Sequence, residues 1–347
     1  MSTLRVGIVG YGTIGKRVAS AVQAQPDMRL TGVVIRQPGV TALGATIQGI
    51  RLFAFESDGA SFPVREAIPT IGTLDDLLHE IDVVIDCTPA RTASAHLLRY
   101  KQACVPAIFQ GGEQHDRIGF TFCPYVNFAE AAGQRAIRIL SCNTTGLARL
   151  TSTMHSRWGI RQIYGSLVSC ATDPDKAHKG NPTAATPTLG ISHHAHDINR
   201  LWPQIAIYTQ TVSVPMIRGH IGMLTFLLDS PTTFDAVAEV LRKAPRVLLG
   251  TATMGKTTAE LGAYFSDKGR QRGDWPEVFI WEESLQVRER VVHLIMAVHM
   301  ESIVIPDTID CLRAVSGGDP SVQNCMWQTD AALRIAKTHE CYEELSL

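Results

Sequence analysis

One cysteine of the eight stands in a setting that could make it a nucleophile. Cys142 follows the apolar strand-like run 137–140 (IRIL) and opens a segment, Ser141-Cys142-Asn143-Thr144-Thr145-Gly146-Leu147, that reads as a helix start. A thiol between a strand end and a helix start faces free N–H groups and the positive end of a dipole, which lower its pKa. The thiolate is the species that attacks a carbonyl. Asn143 and nearby N–H groups can hydrogen-bond the oxyanion formed on attack. The competing reading is a buried structural thiol, and it suits the other seven: Cys87, Cys104, Cys123, Cys170, Cys311, Cys325 and Cys341. They form no C-x-x-C pair and no zinc spacing with histidines, so they read as small apolar residues, with neither disulfides nor a metal expected.

A second pattern binds rather than reacts. Gly10-Tyr11-Gly12-Thr13-Ile14-Gly15 is G-x-G-x-x-G, directly after a strand-like run and before a helix-like one. Its glycines permit a tight turn and close backbone approach to a pyrophosphate, and the helix N-terminus supplies N–H groups for the phosphates. The second strand-like run ends Ile35-Arg36-Gln37-Pro38, without the acid that would hold ribose hydroxyls. Arg36 is available there for a 2′-phosphate, which points to NADP, with NAD tolerated as the alternative. The plainer reading of Arg36 is a solvated loop charge.

The elements that must carry these residues follow from periodicity. Residues 4–10 (LRVGIVG), 29–35, 82–87 and 107–110 read as buried strands, and 13–25, 74–79 and 92–101 as helices. This alternation predicts right-handed βαβ units and a Rossmann-type doubly wound parallel sheet. After about residue 141 the pattern changes. Strand-like stretches at 162–169, 204–212, 277–280 and 291–298 surround a Pro/Gly/Thr-rich loop at 173–190, as in an α+β domain with a mixed or antiparallel sheet. A closing helix is expected over 319–336.

Composition bounds the rest. At 45% hydrophobic and 19% charged residues, the 347-residue chain suits two ordinary domains. Lys+Arg (32) and Asp+Glu (33) balance to a net charge of -1, giving no support for nucleic-acid or membrane binding. No signal-peptide pattern or membrane-length apolar run is present, so the cytoplasm is the expected compartment.

Residues 141–147 (SCNTTGL) resemble the nucleophile motif of the glyceraldehyde-3-phosphate dehydrogenases, and the surrounding sequence is similar to their archaeal-type branch. The resemblance extends over nearly the whole chain. It takes in 10–17 (GYGTIGKR), 82–89 (DVVIDCTP), 109–113 (FQGGE), Ser192-His193-His194, Val214-Pro215 with His220, 281–284 (WEES) and 301–306 (ESIVIP). It implies that Cys142 forms a thioester, that His220 is the catalytic base, and that Ser141, Thr144, His193 and His194 bind substrate. It implies too that Gly10, Gly12, Thr13, Ile14, Gly15, Pro89, Gly111 and Met300 face the cofactor. The expected domains are 1–140 with 304–347, for NAD(P), and 141–303, for catalysis and assembly into a homotetramer.

Three departures bear on the substrate. Ser169 and Cys170 stand where the archaeal-type enzymes carry two arginines that serve anionic ligand groups, Met300 replaces a usual glutamine, and Arg218 lies two residues before His220. Either Arg218 or His193 and His194 supply the missing anion contact for glyceraldehyde 3-phosphate, with inorganic phosphate as co-substrate, or the pocket takes another small anionic aldehyde. A phosphonate- or carboxylate-bearing semialdehyde releasing a free acid is that alternative. A catalytically silent NADP-binding regulatory protein is the third reading, and retention of Cys142, Asn143 and His220 together argues against it.

Overall fold

The first apolar run forms β1 (Leu4–Val9), in which Val6, Ile8 and Val9 are sealed from solvent. In the computed structural model, which describes residues 3–36, 39–56, 70–110, 112–170, 184–216, 218–319 and 321–345, the chain divides into two compact units. These are Met1–Leu140 with Ile305–Leu333, and Ser141–Val304 with Arg334–Leu347.

In the first unit β1 is joined by β2 (Met28–Ile35), β3 (Leu52–Ala54), β4 (Val83–Asp86), β5 (Ala107–Phe109), β6 (Thr121–Phe122) and β7 (Ala136–Ile139). Their order is β3-β2-β1-β4-β5-β7-β6, and neighbouring strands run parallel. The Rossmann-type parallel sheet is therefore present, and its strand order reverses between β1 and β4, where doubly wound sheets open a crevice for ligands. Gly7 matters to the packing: a β-carbon there would fall 2.7 Å from Ile81 Cδ1, so glycine lets the end of the helix Leu74–Glu80 lie directly on β1. The helix Ile305–Ser316 returns from the far end of the chain to pack on the helix Thr13–Ala24. There the 5%-exposed Arg313 bonds both carboxylate oxygens of Asp27 (2.7 and 2.9 Å) and Gln25 Oε1 (2.8 Å).

The second unit begins with the helix Cys142–Trp158, eleven of whose residues are buried. Its sheet comprises β8 (Ile160–Cys170), β9 (Thr186–Pro187), β10 (Ala206–Val214), β11 (Gly219–Leu228), β12 (Val247–Gly250), β13 (Val278–Trp281), β14 (Gln286–Arg288) and β15 (Val291–His299). The order is β12-β13-β15-β11-β8-β10-β9, with β14 added on β15. β8 with β10 and β12 with β13 are parallel, and the other pairs are antiparallel. This is the mixed sheet expected of the α+β half. Gly146 lets the long helix meet β15, since a β-carbon there would lie 2.8 Å from Val298 Cγ1.

The C-terminal segment differs from the expectation that 304–347 returns as one piece. From Arg334 onward it clusters with the second unit. Tyr342 is fully buried, Lys337 Nζ donates to the Arg242 carbonyl, and Lys243 Nζ lies 3.8 Å from Glu344 Oε2. The expected closing helix is correspondingly shorter, Val322–Ala332. Among the described residues no helix is long and apolar enough to cross a membrane.

Candidate active site

In the first unit the glycine motif does what its spacing requires. Gly10 has φ +89°, and a β-carbon on Gly15 would fall 2.0 Å from the Gly10 carbonyl oxygen, so strand end and helix touch through glycine alone. Gly12 caps the helix without any side-chain acceptor, Thr13 and Ile14 open it, and its first turn holds no acid. A β-carbon on Gly12 would meet nothing within 4 Å. An open cradle at an uncapped helix N-terminus fits a pyrophosphate. Arg36 is exposed just beyond β2, with its guanidinium 5.7 Å from the centroid of the Phe55 ring. Pro89 is exposed in the turn after β4, where its carbonyl accepts from the N–H groups of Thr92 and Ala93. The expected contact at Gly111 lies outside the described residues.

In the second unit Ser141 is the N-cap and Cys142 the first residue of the long helix. Cys142 Sγ lies 3.0 Å from His220 Nε2, although 78 residues separate them in sequence. The expected lowering of the thiol pKa does not prevail. Burial pushes Cys142 up to about 11, outweighing the main-chain N–H groups of Asn143 and Cys142 that reach the sulfur and pull the other way. His220, 4% exposed at the start of β11, is pushed down to about 4 by burial. Its Nδ1 accepts the main-chain N–H of Cys170 at 2.9 Å. A neutral ring so held carries its proton on Nε2 and presents it to the sulfur as a donor.

Asn143, expected as an oxyanion donor, turns its side-chain amide to Ser169 Oγ (3.0 Å). The groups that reach the sulfur are the main-chain N–H groups of Cys142 and Asn143 and His220 Nε2. Ser141 Oγ bonds Thr144 Oγ1 (2.8 Å) and His193 Nε2 (3.2 Å), and Thr144 Oγ1 bonds His194 Nδ1 (2.7 Å). The structure thus gathers Ser141, Thr144, His193 and His194 into one hydroxyl–imidazole cluster. His194 is pushed down to about 3 by burial and then by the charges of His193 and His220, so it contributes a neutral ring.

Residues 141–263 match the family profile described as glyceraldehyde 3-phosphate dehydrogenase, C-terminal domain, and residues 4–111 match that described as dihydrodipicolinate reductase, N-terminus. The chain is 36% identical to a glyceraldehyde-3-phosphate dehydrogenase of Hyperthermus butylicus, over 97% of this chain and 99% of that protein. It is 38% identical to those of Metallosphaera sedula (96% and 98%) and Haloarcula marismortui (96% and 95%). The chain belongs to the glyceraldehyde-3-phosphate dehydrogenase family.

As a member of that family it departs at residues that now have positions. Ser169 and Cys170 end β8 against the nucleophile: one receives the Asn143 amide and the other sets the His220 ring. The sequence flagged both only for what they replaced. Burial raises the Cys170 thiol to about 12, with the charges of Cys142 and Glu301 adding to it. Arg218 is exposed, has φ 73°, and lies over Gly262 on the helix Thr258–Asp267, where a β-carbon would come 3.4 Å from Nη1. Its carbonyl accepts the N–H of the half-buried Met300 (2.7 Å). Sequence reasoning also passed over Glu113, a carboxyl directly after two glycines at the end of β5.

Proposed function

We propose that the chain is an NAD(P)-dependent dehydrogenase of a small anionic aldehyde, glyceraldehyde 3-phosphate first, working through a thioester on Cys142. The observation that carries this is Cys142 Sγ at a helix N-terminus, 3.0 Å from His220 Nε2, in a chain of this family. The Cys142 thiolate adds to the aldehyde carbon to give a hemithioacetal alkoxide. His220 Nε2–H and the N–H groups of Cys142 and Asn143 then steady the negative oxygen. The bound nicotinamide supplies a hydride acceptor. As the alkoxide collapses, its carbon loses hydride and becomes the thioester carbonyl. Inorganic phosphate displaces the sulfur to release an acyl phosphate and free thiolate. The cluster of Ser141, Thr144, His193 and His194 takes a substrate hydroxyl or anionic group.

NADP is the preferred cofactor in this reading, with Arg36 on the 2′-phosphate and no competing acid at the end of β2. Gly10, Gly12, Thr13, Ile14 and Gly15 hold the pyrophosphate. Assembly as a homotetramer is supported by the exposed Tyr164, Tyr208 and Met223 on the mixed sheet, the two tyrosines stacked at 5.5 Å. A cytoplasmic location accords with the enzyme class.

The absence of both arginines at Ser169 and Cys170 favours a second reading, a different anionic aldehyde whose thioester is released by water as a free acid. Removing a bidentate anion clamp weakens phosphate recognition by about 2–3 kcal/mol or more. The deciding experiment is NADPH formation from glyceraldehyde 3-phosphate with and without inorganic phosphate, beside Cys142→Ala. Phosphate-dependent turnover abolished in the variant supports the first reading. Absence of turnover on that substrate, with turnover on carboxylate-bearing semialdehydes without phosphate, supports the second.

A further inference from the structure

Buried carboxylates ordinarily have both oxygens satisfied. Glu113, 1% exposed, does not. Its Oε1 accepts the main-chain N–H groups of Arg91 (2.5 Å) and Ser94 (3.0 Å), while Oε2 has no hydrogen-bond partner among the described residues. The residue is held at both ends, because its main-chain carbonyl accepts from Nη1 of the buried Arg138 (2.8 Å). It cannot easily swing Oε2 out to water.

Its place in the sheet suggests what the idle oxygen is for. Glu113 follows β5 and is bonded to the turn after β4, so it belongs to the C-terminal edge beyond the β1/β4 reversal. Gly112 beside it has φ +78°, and a β-carbon there would meet nothing within 4 Å. A dinucleotide lying across such a reversal places one mononucleotide half on each side, with the pyrophosphate at the glycine turn. Arg36 and Phe55 lie on the β2–β3 side, which leaves the β4–β5 side for the nicotinamide half. That half carries N–H donors on its carboxamide and O–H donors on its ribose.

We infer that Glu113 is a cofactor-binding residue whose Oε2 accepts a hydrogen bond from the nicotinamide half of the dinucleotide. The inference rests on the proposed cofactor reading and goes beyond it in assigning the second half's anchor. A buried acceptor without a partner carries a desolvation penalty, and a ligand N–H or O–H removes it on binding.

The test is Glu113→Gln in the full-length chain. Glutamine keeps a carbonyl oxygen for Arg91 and Ser94 but puts an NH2 group, which cannot accept, where Oε2 stood. Dissociation constants would be measured for NADP+ and for adenosine 2′,5′-bisphosphate, which lacks the nicotinamide half, with NAD+ and ADP run in parallel. The expected result is a loss of roughly tenfold to a hundredfold for the whole dinucleotide, with the fragment unchanged. Equal affinity of variant and wild type for the dinucleotide overturns the proposal, as does equal weakening of dinucleotide and fragment. Glu113→Asp, which keeps the charge but withdraws it by one methylene, should show the same split at smaller size and serves if the glutamine variant does not fold. A wild-type protein that binds no dinucleotide would instead remove the cofactor reading itself.

Discussion

The main-chain N–H of Cys170 donates to Nδ1 of His220 at 2.9 Å, and this bond decides what the opposite nitrogen offers Cys142 at 3.0 Å. An imidazolium carries protons on both nitrogens, so it would set an N–H against the N–H of Cys170. Burial of the ring acts in the same direction. Both the bond and the burial of the ring favour the neutral imidazole, and burial holds the Cys142 thiol above its ordinary range.

Cys142 should accordingly titrate late. With the thiol pushed up to about 11, its thiolate fraction rises about tenfold per pH unit throughout the neutral and mildly alkaline range. The carbamoylmethylation rate of the cofactor-free chain by iodoacetamide, followed by mass spectrometry on the Cys142 peptide, should climb steadily from pH 7 to 10. A plateau already reached at pH 7 would mean a stabilised thiolate and sink this account.

His220→Ala should lower kcat by about a hundredfold to a thousandfold, the cost of losing one preorganised donor to a developing oxyanion. Because His220 itself titrates near 4, it should add no step to the kcat profile between pH 6 and 8 in the wild-type enzyme. A step near pH 6.5 that disappears in the variant would restore the ring to a base role.

Two glycine substitutions should part ways. Gly15→Ala drives a β-carbon to 2.0 Å from the Gly10 carbonyl, and the backbone must move, destabilising the first unit by about 1–3 kcal/mol or more. Gly12→Ala meets nothing within 4 Å, so melting should be nearly unchanged while dinucleotide binding is obstructed by the new methyl. Thermal melting beside a cofactor titration separates them, and Gly12→Ala binding NADP+ normally would contradict the cradle.

Arg36→Ala should weaken NADP+ about tenfold to a hundredfold and leave NAD+ nearly as it was, if the guanidinium bonds the 2′-phosphate. Equal loss for both dinucleotides, measured by titration of intrinsic fluorescence, would reduce Arg36 to a partner of Phe55.

Arg313→Ala should destabilise the chain by about 2–4 kcal/mol, since it strands Asp27 and Gln25 and empties a site whose arginine is 5% exposed. The value is kept below that of a fully buried pair because Asp27 is itself 45% exposed. Urea unfolding gives the figure directly, and a change under 1 kcal/mol would show the contact to be incidental.

What could be read from the sequence was local. The run into Gly10, the glycine spacing and the helix after it appear where periodicity puts them, because a strand buried on both faces and a phosphate turn each leave a contiguous signature. Cys142 at a strand-to-helix junction was legible for the same reason. Its raised pKa was not, because burial sets it, and the helix that Cys142 opens packs on β8, β11 and β15, far along the chain. Nor was the hold of Cys170 on His220, a main-chain bond that any non-proline residue could make and that side-chain identity does not announce. Asn143 was legible as a polar residue beside the nucleophile, yet its amide is spent on Ser169. The split of the C-terminal segment at Arg334 turns on Tyr342 and Lys337 finding the second unit, which no periodicity encodes.

The bond between Arg313 and Asp27 spans 286 residues of sequence. On a ribosome, the N-terminal 140 residues therefore emerge without the helices Ile305–Ser316 and Val322–Ala332 that complete their unit, and residues 141–304 of the second unit are synthesised before those helices arrive. Loop closure over such a span is slow, and the waiting sheet exposes apolar surface meanwhile. A chain that stops short of Leu333 therefore leaves its beginning unfinished as well as its end, because the last residues of the first unit are among those it lacks.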